Sequence, residues 1–143
     1  MSYNISPIET LSNKERLILH LNIGGEIFSK ADASQALDEL NHIADDCAQS
    51  GQVIYIISGP WDIKLELGYG EVMGNLKFYR RKELIGVYPY GVGVTKMPAF
   101  FSSVIGQVAG LHVQLGDTYD STLELVSSVI EKGVAEQTRK HIS

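Results

Sequence analysis

Histidine is the side chain most able to move a proton near neutral pH, and the chain has four: His20, His42, His112 and His141. No two stand at the His-Glu-x-x-His spacing that turns two imidazoles to one side of a helix for zinc. No metal site is therefore expected. His20 and His112 fall in strand-like segments, where a hydrogen-bonded structural histidine is the expected role. His42 lies on a helix and His141 in the tail. The lone thiol, Cys47, excludes a disulfide framework. It sits on an apolar helical stripe, so an inert buried thiol is expected; a nucleophile needs an electropositive, partly exposed setting. No serine occupies a Gly-x-Ser-x-Gly elbow. No catalytic residue and no cofactor is assigned, and the chain reads as non-enzymatic.

The remaining candidates are ligand or partner contacts. Gly91-Val92-Gly93 follows a strand and precedes a helix beginning near Thr95, the place where open α/β sheets take ligands. Backbone N–H groups there suit an anion, although the longer phosphate-binding fingerprints are absent and an ordinary loop is the commoner meaning of such a pair. Trp61, Tyr69, Tyr88 and Tyr90 fall near strand-to-helix junctions and could wall an apolar pocket, or simply fill the core. Ser58 and Asp62 flank the Gly59-Pro60 break; a strand-end hydroxyl is the plainer role for Ser58. Arg80-Arg81-Lys82 is the one basic run. It reads as a solvated helix end, with a docking patch for an acidic partner as the alternative.

These residues must be held by elements, and the patterning supplies them. Tyr3–Thr10 and Arg16–Ile23 read as a strand pair, the second alternating Leu17, Leu19 and Leu21 with Ile18, His20 and Asn22. Ser29 can cap a helix over Lys30–Gln49, whose Ala33, Ala36, Leu37, Leu40, Ile43, Ala44 and Cys47 form one stripe. Gln52–Ser58 is a continuous β-branched and aromatic run suited to a central strand covered on both faces. A helix with an irregular start is expected from about Gly70, followed by a strand at Leu84–Tyr90. A third helix carries Met97, Phe101, Val104, Ile105 and Val108. A short strand follows at His112–Leu115. A last helix is expected to start at a Ser121–Glu124 capping box and reach about Gln137, with the tail after Glu136 frayed. Strands alternating with helices imply an α/β fold: a small, mostly parallel sheet made mixed by its N-terminal hairpin, with about four packed helices.

Composition narrows the class. The 143 residues fit one domain, since domains run about 100–200 residues. A net charge of -5 argues against general nucleic-acid binding, which needs a basic face. No apolar run approaches the roughly 18 residues of a membrane span. The opening residues lack a basic-then-apolar leader, so a cytoplasmic location is expected.

The element order resembles the STAS fold of anti-anti-sigma factors, and especially the SpoIIAA-like group. The likeness extends over nearly the whole chain. It rests on the opening strand pair followed by Gly24-Gly25-Glu26 and an acidic helix, on GNLKFYRRKELIGVYPYGV (Gly74–Val92), and on HVQLGDTYDSTLELV (His112–Val126). The resemblance implies a regulatory module that works through protein contacts, with a partner protein or a second copy of itself, or a lipid- or nucleotide-binding domain with its pocket at the strand ends. Antagonists of this fold are phosphorylated in an Asp-Ser-Ser/Thr-Gly motif after the central strand. Here that position falls near Lys64–Leu65, where no hydroxyl stands.

Overall fold

The computed structural model describes residues 3–23, 27–28, 30–61, 64–65, 76–91 and 110–142. Its main sheet holds β1 (Asn4–Pro7), β2 (Arg16–Asn22), β4 (Val53–Gly59), β6 (Leu84–Pro89) and β7 (His112–Val113), side by side in that order. β1 pairs antiparallel with β2, while β2, β4, β6 and β7 run parallel. The mixed α/β architecture expected from the patterning is therefore present. A second, two-stranded parallel sheet joins β3 (Ile27–Phe28) to β5 (Lys64–Leu65). It was not expected, because two-residue strands carry no periodicity. The helices described are α1 (Lys30–Ser50), α2 (Leu76–Tyr79), α3 (Tyr119–Lys132) and α4 (Val134–Ile142). No described helix is long and apolar enough to cross a membrane. The expected helix cap at Ser29, the helix start near Gly70 and the third helix lie outside the described residues.

Each sheet face buries its own apolar set, as strand alternation requires. On one face Leu19, Leu21, Ile54, Ile56, Leu84 and Val87 meet Ala36, Leu40, Ala44 and Cys47 of α1. The small residues on the α1 stripe let the helix approach the sheet closely. On the other face Ile18, Tyr55, Ile57, Ile85, Tyr88 and Tyr90 meet Val126 and Val129 of α3 and Ala135 of α4. β4, covered on both sides, is the central strand its apolar run promised.

β6 breaks the alternation. Its register with β4 slips between Ile54, which faces Leu84, and Tyr55, which faces Gly86. One extra residue therefore lies on β6, and Ile85 and Gly86 both turn toward the α3–α4 face. A side chain at 86 would collide with Tyr88: an added Cβ would lie 2.7 Å from its ring carbons and closer still to its hydroxyl. Glycine at this bulge lets the Tyr88 ring fold back over the strand. There it stacks beside Tyr55, with centroids 6.4 Å apart, and its hydroxyl meets His112 Nδ1 at 2.9 Å.

Three expectations at the C-terminus need correction. The last helix begins earlier than Ser121: Thr118 is the cap, its hydroxyl accepting from the Ser121 N–H at 3.1 Å, while Ser121 Oγ accepts from the Thr118 N–H at 3.2 Å. Both partners of this capping box are hydroxyls, so Glu124 plays no part in it. The helix also does not run on to Gln137. Gly133 adopts a left-handed conformation (φ 68°) and closes α3, and α4 starts at once. Nor does the chain fray after Glu136. Arg139 is only 7% exposed and donates to the carbonyls of Arg81 (2.8 Å) and Tyr79 (3.4 Å).

Beyond the packing of Ala135, one carboxylate ties α4 to the sheet. Glu136 Oε2 accepts from Arg16 Nε at 2.7 Å and from the Tyr55 hydroxyl at 2.6 Å, joining α4 to β2 and β4. Replacing Glu136 with Ala leaves a buried tyrosine hydroxyl without this acceptor and is expected to lower unfolding free energy by about 1.5–3 kcal/mol. Gly86→Ala, which overpacks the bulge, is expected to lower it by about 1–3 kcal/mol. Urea denaturation measures both; a change within about 0.5 kcal/mol in either variant contradicts the corresponding role.

Candidate functional site

The carboxyl ends of β2, β4 and β6 lie side by side, the end of an open α/β sheet where ligands and partners are commonly received. β2 contributes His20, β4 ends at Ser58-Gly59, and β6 runs out through Pro89 into Tyr90-Gly91. Gly59 and Pro60 are joined by a cis peptide bond. Gly59 has a φ of 155°, and a Cβ there would lie 2.5 Å from the Tyr90 carbonyl oxygen. Only glycine permits β4 and the start of the next loop to close on β6 this tightly.

That close approach is stitched by backbone and side chain together. The Tyr90 N–H donates to the Ser58 carbonyl, and the Trp61 N–H donates to the Tyr90 carbonyl, each at 2.9 Å. Trp61 then folds its indole back so that Nε1 donates to Ser58 Oγ at 3.1 Å. Tyr90 reaches across β4 to β2, where its hydroxyl meets His20 Nε2 at 2.9 Å. The His20 ring also rests on Tyr119, the first residue of α3, with centroids 4.5 Å apart, and Tyr119 tilts against Tyr90 at 5.9 Å. Gly116 braces the far side. It bridges to Tyr90, accepts from the Gly91 N–H at 3.1 Å and donates to the Pro89 carbonyl at 2.9 Å.

Of the residues expected from sequence, Ser58, Trp61, Tyr90 and Gly91 are brought together here. Ser58 and Tyr90 are buried, each 5% exposed, and Trp61 is half-buried. Asp62, Tyr69, Gly93 and Thr95 lie outside the described residues. Tyr88 is not at this junction; it is buried mid-strand on β6 with its hydroxyl on His112. The basic run stands at the opposite end of β6. Arg80 and Lys82 are exposed, but Arg81 is no free surface charge: it bonds Asp45 at 2.7 Å, Glu83 at 3.0 Å and Asn41 at 3.3 Å, tying α1 to the approach to β6. The solvated-end reading thus holds for Arg80 and Lys82 and fails for Arg81.

His20 and Tyr119 complete the cluster, and sequence reasoning assigned neither to it. His20 was read as a hydrogen-bonded structural histidine, and the bond is there; its partner, 70 positions away, is not visible in local pattern. Tyr119 carries one usable signal, its place at a helix start three residues after Gly116.

Burial lowers the pKa of both His20 and His112, so each is held as neutral imidazole near pH 7. A neutral ring can accept a tyrosine proton; a protonated ring can only donate. Cys47 is buried, and burial raises its pKa, as an inert thiol requires. Among the described residues no group of three or more His, Cys, Asp or Glu is placed to hold a metal ion. Comparison with family models, with curated proteins and with solved structures returns no significant match.

The histidines make stability depend on pH. Their folded pKa values lie below the ordinary 6.5, so as pH falls the unfolded chain binds protons first. Their contribution is complete above pH 6.5 and declines as pH drops through 6.5 toward the lowered folded values. Unfolding free energy is expected to rise from about pH 5 to pH 7, and a His20→Gln, His112→Asn double variant to flatten that rise. Urea melts across this range measure it; an unchanged slope in the double variant contradicts the assignment.

Proposed function

We propose that the chain is a non-enzymatic regulatory module of the STAS-like type, which recognises a partner protein through the carboxyl end of its sheet. The observation that carries this reading is that the polar side chains of the site bind one another. Ser58 receives the Trp61 indole, and Tyr90 is joined to His20. Groups bound in this way fix a shape. A hydrolase or transferase needs a nucleophile free to meet its substrate.

The surface so fixed suits recognition. Trp61, His20 and Tyr119 are all half-buried, presenting aromatic edges from positions locked by packing. Tryptophan and tyrosine are over-represented among residues that dominate binding energy at interfaces, because they supply area at low entropic cost. Ser58 does not suit a phosphorylation switch of the type the resemblance implies, because its hydroxyl is buried under the indole. Recognition here runs through the aromatic surface.

The test is affinity capture with chemical cross-linking, using wild type, Trp61→Ala, Tyr119→Ala, and His42→Ala on the exposed face of α1 as control. Wild type and His42→Ala are expected to retain one partner that both site variants lose by about tenfold or more. Circular dichroism establishes that the variants are folded. Capture indifferent to the site variants overturns the proposal, as does turnover of a small metabolite by the purified protein. A melting temperature raised by a lipid or a nucleotide, and not by any protein, moves the function to ligand binding.

A further inference from the structure

A groove of about 350 Å³ separates the loop joining β1 to β2 from the outer side of α3. Its apolar part comes from Leu11 on the loop and Leu123 on the helix, both half-buried and packed on the core of that face. The loop wall is tied down. Ser12 Oγ donates to the Ile8 carbonyl at 2.9 Å and accepts from the Ile18 N–H at 3.0 Å. Asn13 Oδ1 accepts from the N–H groups of Glu15 and Arg16, at 2.8 and 2.9 Å. These bonds hold the wall in place without an occupant.

The α3 wall is acidic. At 3.6 residues per turn, Asp120, Glu124, Ser127 and Glu131 fall on one side of the helix with Leu123, and Lys132 falls outside that side. Glu124 and Glu131 line the groove, are exposed, and make no ion pair among the described residues. On the opposite wall Glu9 is exposed beside Thr10. The lysines nearest in sequence are Lys14 and Lys132. Counted in full, they still leave the carboxylates of Glu9, Asp120, Glu124 and Glu131 in excess. Arg16 supplies no further cation, because Glu15 and Glu136 already share it. A partner for this groove is therefore positively charged and carries an apolar edge.

We infer that the groove docks a basic amphipathic helix of a partner protein: lysines or arginines seven positions apart reach Glu124 and Glu131, and a leucine-sized side chain lies against Leu11 and Leu123. The spacing follows from α3. Seven residues of helix span about 10 Å, so a helix laid along α3 repeats its cations at the interval of the two carboxylates. Ser127 and Ser128, between those carboxylates, are small enough for a second helix to approach. Tyr119 belongs to the aromatic cluster at the carboxyl end and directly precedes Asp120, so the acidic side of α3 continues that surface. The inference rests on the proposed function only for the partner's being a protein.

The experiment titrates the folded protein with a synthetic helix of about 20 residues, a leucine edge flanked by lysines seven positions apart. A scrambled peptide of the same composition and hexylamine accompany it. Anisotropy of the labelled peptides gives affinity, and the methyl resonances of Leu11 and Leu123 give the place. Glu124→Gln with Glu131→Gln neutralises the groove and keeps its shape. Asp38→Asn with Asp46→Asn removes the same charge from exposed positions on α1, against the other face of the sheet. The amphipathic peptide is expected to bind saturably and to shift both leucines. The groove variant is expected to bind it about fivefold or more weakly, and the α1 variant to stay within about twofold of wild type. Equal loss in the two variants, equal affinity for the scrambled peptide, or no binding up to about 1 mM overturns the inference. Hexylamine binding as tightly as the peptide overturns it in favour of a small amine, and self-association abolished by the groove variant overturns it in favour of a second copy. Trp61→Ala separates this inference from the proposed function. The peptide is expected to bind that variant as it binds wild type; binding lost there and kept in the groove variant overturns the groove and leaves the aromatic surface standing.

Discussion

Three tyrosine rings lie on one face of the sheet, and each brings a hydroxyl that must find a partner. A buried hydroxyl left unpaired costs about 1–3 kcal/mol, so the partners are constrained as firmly as the rings. Tyr55 takes Glu136 of α4, Tyr88 takes His112 of β7, and Tyr90 takes His20 of β2. Those three bonds reach one helix and two strands that stand far apart in the chain. The layer therefore does more than fill space under α3 and α4. It specifies where α4 docks, where β7 pairs and how the end of β6 faces β2. The Glu136 carboxylate is the strongest of these links, since the same oxygen also holds Arg16.

The two ends of the sheet follow from that layer. At the carboxyl end, Tyr90 is held by His20 and Tyr119, and its backbone in turn receives the Ser58–Trp61 turn. At the amino end, Glu136 holds Tyr55 and Arg16, which fixes α4 against β2 and β4. The same side chains that satisfy the core thus decide the form of each end: a fixed aromatic surface at one, and a docked helix at the other.

Much of this was legible in the sequence, for physical reasons that can be named. The unbroken apolar run QVIYIIS is the pattern of a strand covered twice, and β4 is such a strand. The alternation of β2 separates Leu19 and Leu21 from Ile18, and the two faces are divided that way. Ser58, Trp61, Tyr90 and Gly91 were identifiable as neighbours because the carboxyl ends of parallel strands converge. What could not be read depends on register or on distant partners. LIGVYPY is equally apolar with or without an extra residue, so the β6 bulge leaves no trace in hydrophobicity. Gly133 sits inside a pattern that would run on as helix, and only its left-handed backbone shows the break. His20 joins Tyr90 because β4 lies between their strands, a fact of strand order with no local signal.

The account's central claim is that the carboxyl-end surface is already formed without a partner, held by the bonds among Ser58, Trp61, Tyr90 and Gly116. Native-state hydrogen exchange of the isolated protein tests this most directly, through the amides of Trp61, Tyr90 and Gly91. The account predicts that they exchange only with global unfolding, at the protection of the central β4 amides, because each is donated to a carbonyl inside a buried cluster. Exchange of these three amides through local opening, far faster than β4, would contradict it and show a surface that is shaped only when something binds.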